Sequence, residues 1–135
     1  FDISPTAIRW AAQTYGNPDI EWRVEDLLNL PMGWHNKWDL VVEVHILQAI
    51  PEEVRVLAAS ILPSLLASNG RLVSVGRVDI SGEKTLGPPW PLSRDFILSI
   101  GGDLEHTSLH LPVELINGEE IHRYISSWKR TGKKI

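Results

Sequence analysis

Three carboxylates, Asp2, Asp26 and Glu43, stand where three short strands would end. In open α/β sheets ligands bind beyond the carboxyl ends of the strands. A carboxylate accepts hydrogen bonds and donates none, so three in succession suit a ligand rich in hydroxyl and amino donors, such as a nucleoside. Glu43 follows Leu40-Val41-Val42, a setting in which an unpaired charge is costly. His45 lies two residues further on and shares a strand face with Glu43 if the strand continues. It reads either as a base that deprotonates an acceptor or as a histidine packed at the strand end, and Gln48 has the same two readings. Each acid also has a structural reading. Asp2 could cap a helix, a role that Ser4 fills more naturally; Asp26 could open a loop, and Glu43 could be a charge partner.

The elements that must position these groups are legible in the spacing. Ser4-Pro5 is a helix start, and Ile8, Ala11, Ala12 and Tyr15 form one apolar face before Gly16-Asn17-Pro18 stops it. Glu21 to Leu28 reads as a short strand, and Pro31 to Lys37 as a loop. Asp39 to Val44 has the apolar run of a strand buried on both faces of a parallel sheet. Pro51 opens a helix to about Ala67, with Glu52 and Glu53 at the positive end of its dipole and Pro63 as an irregularity. Its face is Val54, Leu57, Ala58, Ile61 and Leu65, and Asn69-Gly70 closes it. A strand from Arg71 to Val78 and a long loop from Asp79 to Leu92 follow, then a helix capped by Ser93 that Gly101-Gly102 ends. Ser108 to Ile116 and Glu119 to Ser127 flank Asn117-Gly118, a strong hairpin signal. The pattern predicts an α/β, Rossmann-like three-layer sandwich: a mostly parallel sheet with an antiparallel C-terminal hairpin.

Composition narrows the function. The chain has 135 residues, enough for one domain, and a formal net charge of -4, which argues against a nucleic-acid partner held through phosphate contacts. Its basic cluster, Lys129, Arg130, Lys133 and Lys134, reads as a solvated tail. With no cysteine there is no thiolate zinc site, disulfide or cysteine nucleophile. His35, His106, His110 and His122 show no spacing that compels a metal site, so no metal is expected. The apolar runs are too short for a membrane span and no signal peptide opens the chain, which makes a cytoplasmic protein the default. Trp34, Trp38 and Trp90 fall on loops near a pocket mouth, whereas Trp10, Trp22 and Trp128 read as packing residues.

The segments FDISPTAIRWA, WRVEDLLNLP, WDLVVEVHILQAIPEEVR and LLASNGRLVSVG, in that order, resemble consecutive motifs of class I S-adenosylmethionine-dependent methyltransferases. The likeness is to the small-molecule branch that includes thiopurine- and tellurite-type enzymes. It runs from residue 1 to about residue 78, and the terminal hairpin fits the family's last two strands. The resemblance implies S-adenosyl-L-methionine as cofactor and a small-molecule methyl acceptor. It implies that Asp2, with Ile3 beside it, binds the ribose hydroxyls, and that Asp26 and the backbone at Leu27 bind the adenine. Glu43 would lie under the methionine part, with His45 as the candidate catalytic base. The family's first strand and glycine-rich loop have no counterpart here, so residues 1–135 read as a single, N-terminally incomplete methyltransferase-like domain. The resemblance places that strand mid-sheet, so its absence would open two edges. An upstream strand, glycine-rich turn and helix would cover them, or a second copy in a homodimer. The alternative function is a catalytically silent module of the same fold that binds a partner or regulates.

Overall fold

Ser4 sets the first element. Its hydroxyl accepts from the Ala7 N–H at 3.2 Å and Pro5 takes the first helical position, so helix α1 runs Pro5–Tyr15. The computed structural model describes residues 1–82 and 88–132, which fall into two compact units divided between Met32 and Gly33. The expected loop from Asp79 to Leu92 lies partly outside the described residues, as do Lys133 and Lys134 of the basic cluster.

In the first unit the strand expected over Glu21–Leu28 is reduced to one parallel bridge between Asp2 and Val24. The reason is local. The Asp26 side chain accepts from the Leu28 N–H at 2.9 Å, which turns the chain into a single 3-10 turn, Leu27–Asn29. Helix α1 has no fully buried residue. Trp10, expected to pack, is 62% exposed and meets the Tyr15 ring edge-on.

The second unit carries the sheet. Strand β1, Trp38–Val44, leads through a 3-10 turn, Leu47–Ala49, to helix α2, Glu52–Ser64. Strand β2, Leu66–Arg77, is followed by helix α3, Arg94–Ser99. Strands β3, Glu105–His110, β4, Val113–Ile116, and β5, Glu119–Lys129, complete the unit. The sheet is open and mixed, in the order β1-β2-β5-β3, with β4 also on β5. β1 and β2 are parallel, and β5 pairs antiparallel with β2, β3 and β4. The β4–β5 turn falls at Asn117-Gly118, both at positive φ (51° and 78°), as the tight hairpin turn requires.

Several boundaries differ from the sequence expectation, each for a physical reason. Helix α2 stops at Ser64 rather than near Ala67, because the Leu65 carbonyl accepts from the Trp38 N–H at 2.9 Å and begins the sheet. Asn69-Gly70 therefore lies inside β2 instead of closing a helix, with Asn69 at φ 62° beside the register shift against β1. Leu57 of the predicted apolar face is 60% exposed, and Ala58, Ala59 and Leu62 are the buried residues of α2. The strand expected over Ser108–Ile116 breaks at Leu111-Pro112, since proline has no N–H for a ladder. β1 was expected to be buried on both faces. It is instead an edge strand on which Leu40, Val42 and Val44 are 50–57% exposed.

The core of this unit gathers Leu47, Leu62, Leu65, Leu66, Leu72, Leu92, Ile97, Ile100, Tyr124 and Trp128, all at 3% exposure or less. Trp128 thus packs as expected. Among the described residues no helix is long and apolar enough to cross a membrane.

Candidate functional site

The carboxyl end of β1 holds a buried polar cluster built from three strands. Glu43 is 1% exposed and points to the same face as the interior of β2 and β5. One oxygen, Oε1, accepts from the backbone N–H groups of Ile46 at 2.6 Å and Leu47 at 3.0 Å. The other, Oε2, accepts from the Ser74 hydroxyl at 2.6 Å. Ser74 in turn shares a hydrogen bond of 2.8 Å with the Tyr124 hydroxyl. Burial pushes the Glu43 carboxyl above its ordinary range. The hydrogen bonds from Ser74, Leu47 and Ile46, and the nearby His45, pull it partly back. Burial, followed by the Glu43 charge, likewise raises the Tyr124 phenol. Both Glu43 oxygens are thus occupied by the protein's own donors, and what they hold is the turn that leaves β1.

His45 sits in that turn with a left-handed backbone, φ 64°. Its N–H still extends the ladder, donating to the Val75 carbonyl at 2.9 Å. Its ring Nδ1 is buried and has no hydrogen-bond partner among the described residues. A non-glycine residue in this conformation, with an unsatisfied buried nitrogen, carries strain of the kind that collects at functional positions. Gln48, 3% exposed, ties the neighbouring segments together. Its Oε1 accepts from the Arg77 N–H and its carbonyl from the Trp90 N–H, both at 2.8 Å.

In the first unit the parallel bridge brings Asp2 beside the chain that ends in Asp26. The Asp2 N–H donates to the Arg23 carbonyl at 3.2 Å, and the Glu25 N–H donates to the Asp2 carbonyl at 3.1 Å. Each aspartate spends one oxygen on its own turn. Asp2 Oδ1 accepts from the Ser4 N–H at 2.8 Å, and Asp26 Oδ1 accepts from Leu28. Each Oδ2 has no hydrogen-bond partner among the described residues. Leu27 opens its 3-10 turn, and Ile3 is 66% exposed. Ser4 and Asp2 therefore divide the capping between them: Ser4 caps the helix, and Asp2 orients Ser4.

Of the expected residues, the bridge joins Asp2, Ile3, Asp26 and Leu27 in one unit, while Glu43 and His45 sit together at the end of β1. Sequence reasoning missed Ser74 and Tyr124. Ser74 alone had a signal, as a polar residue at an inward position of the Leu72-Val73-Ser74-Val75 run. Trp34 and Trp38 meet edge-on at 5.4 Å. His106 bonds the Ser126 hydroxyl at 2.9 Å and leans on Trp128, an arrangement that is structural.

No protein-family model matches the chain, and no curated protein matches it in sequence. Solved structures do match it in fold. A SAM-dependent methyltransferase from Methanosarcina mazei is similar with a TM-score of 0.77 at 14% identity, over 98% of this chain and 81% of that one. The chain has a methyltransferase-like fold. The N-methyltransferase NodS from Bradyrhizobium japonicum, in complex with S-adenosyl-L-homocysteine, has a TM-score of 0.73 at 19% identity, over 96% of this chain and 64% of its own. The [4+2]-cyclase SpnF has a TM-score of 0.74 at 12% identity, again over 96% and 64%. That last likeness shows how one scaffold hosts different reactions, so function must be argued from the site.

Proposed function

We propose that the chain serves S-adenosyl-L-methionine-dependent methyl transfer to a small-molecule acceptor. The observation that carries this reading is the Asp2–Val24 bridge. It sets two carboxylates at adjacent chain ends, each with one oxygen fixed by its own turn and one without a partner. Such a pair fits a nucleoside: Asp2, with Ile3 beside it, would accept from the ribose hydroxyls, and Asp26 from the adenine amino group, with the Leu27 amide as a donor to the ring. The fold likeness supports S-adenosyl-L-methionine as the cofactor. When bound, the cofactor supplies a methyl group made electrophilic by its sulfonium.

What is left to the protein is orientation. Glu43 contributes by holding Ile46 and Leu47, and with them the strained turn that carries His45.

Titration calorimetry of the protein with S-adenosylhomocysteine tests the reading. Asp2→Ala should weaken binding by about 1–3 kcal/mol through the lost ribose hydrogen bonds. Asp2→Asn, which keeps the Ser4 contact, should lose part of that. Unchanged affinity in a folded variant removes Asp2 from the site. If the wild-type protein does not bind at all, the catalytically silent module becomes the better reading.

A further inference from the structure

Near the start of β2, away from the Glu43 cluster, α2, α3 and the chain leaving β5 border a groove of about 860 Å3. Val56, Pro63, Ile100 and Leu104 give it an aliphatic wall. Among the described residues its lining has two charges, Arg130 and Asp103, and is neutral as a whole. The two form no ion pair with each other or with any other described residue. Arg130 is held by the bond from Nη2 to the Pro63 carbonyl at 2.6 Å, while its buried Nε meets no acceptor among the described residues. A ligand carboxylate would supply the charge-assisted partner that this guanidinium lacks. The polar groups contributed by α2 and α3 are acceptors. Pro63 has no N–H, so the Ala59 carbonyl lacks the donor that the fourth residue on supplies elsewhere in α2. The hydroxyls of Ser60, Ser64 and Ser99 donate to the carbonyls of Leu57, Ile61 and Phe96. Their protons are spent inside the helices, and what they have left is lone pairs. Those lone pairs and the exposed Asp103 carboxylate together suit an ammonium.

We propose that this groove binds a small zwitterion with an aliphatic body, an amino acid of the leucine kind. Its carboxylate lies on Arg130, its ammonium on Asp103 and the serine oxygens, and its side chain on the aliphatic wall. A neutral lining with two separated, unpaired charges of opposite sign selects a ligand that carries both over one that carries either alone. Ser68 lines the groove, whereas Ser74, further along β2, bonds Glu43. The site therefore stands apart from methyl transfer and does not rest on that reading.

The test is a titration of the full chain with L-leucine, N-acetyl-leucine, leucinamide and glycine, followed by NMR at the Gly102 and Gly132 amides. Leucine should saturate and move both signals. N-acetyl-leucine lacks the ammonium and leucinamide the carboxylate, and each should bind about tenfold more weakly. Glycine, which lacks the side chain, should lose a similar factor. Arg130→Gln should weaken leucine about tenfold and leave leucinamide unchanged. Because Arg130 also holds the Pro63 carbonyl, Asp103→Asn is the second variant, at an exposed position with no ion pair to lose. It should weaken leucine several-fold and leave N-acetyl-leucine unchanged. Failure of leucine to saturate at these two amides, equal binding of the blocked derivatives, or unchanged leucine affinity in Asp103→Asn each overturns the proposal.

Discussion

Glu43→Ala is expected to lower the stability of the protein by about 3 kcal/mol, because two backbone N–H groups and the Ser74 hydroxyl lose their acceptor where water cannot replace it. Glu43→Gln keeps a carbonyl oxygen for Ile46 and Leu47, and Ser74 can rotate to accept from the new amide while donating to Tyr124. It should cost only about 1 kcal/mol, consistent with one imperfectly replaced hydrogen bond. The pair of variants also reports the charge. The folded carboxyl is raised above its ordinary value of 4.5 by burial. A raised acid is stabilising when protonated, so its contribution is complete below 4.5 and is lost as pH rises through the folded value. The stability gap between wild type and Glu43→Gln should therefore shift in favour of wild type on acidification through that window. Urea unfolding at a series of pH values measures it, and a gap flat across the window would show that Glu43 is not raised.

The second large effect is one of packing. Gly101 ends α3 against the indole of Trp128, and a Cβ built there would overlap the five-membered ring. Trp128 is 1% exposed and cannot swing away. Gly101→Ala should thus cost about 3 kcal/mol as overpacking, and Trp128→Ala about 4 kcal/mol as a cavity. The double variant Gly101→Ala with Trp128→Leu should be more stable than the sum of the single losses predicts, since the smaller side chain clears the space that the new methyl needs. Strict additivity in thermal melts would mean that the two residues do not share that space. The position next to it behaves differently: Gly102 needs its backbone, at φ 54°, and meets nothing.

Much of this fold was legible in the sequence because its signals are local. Ser4-Pro5, Ser93 and Asn117-Gly118 each act through the next two or three residues, and each sits where its chemistry places it. The misplaced boundaries depended on distant partners. Nothing near Ser64 announces that Trp38 will capture the Leu65 carbonyl, and a Leu-Val-Val run looks the same in a central strand as at an open edge. The candidate site divides in the same way. Asp2, Asp26 and Glu43 could be picked out as acids at strand ends, but their neighbours could not. Ser74 reaches Glu43 only because β1 and β2 pair in one register, and Tyr124 reaches Ser74 only because β2 and β5 do. The strained backbone of His45 has no sequence signature at all.

The strand order carries a consequence for how this chain folds. β4 and β5 close around a two-residue turn, so their pairing forms on the time scale of a hairpin. The parallel β1–β2 pair and the antiparallel strands become one sheet only once β5 docks on β2, a step that brings together groups such as Ser74 and Tyr124, 50 residues apart. That loop must be closed before the contacts it allows can repay its entropy. The hairpin should therefore precede the sheet, and the β2–β5 register should set the folding rate. Until it forms, Ser74 has no Tyr124 hydroxyl to bond, so the polar cluster at the end of β1 is among the last parts of the second unit to acquire its native shape.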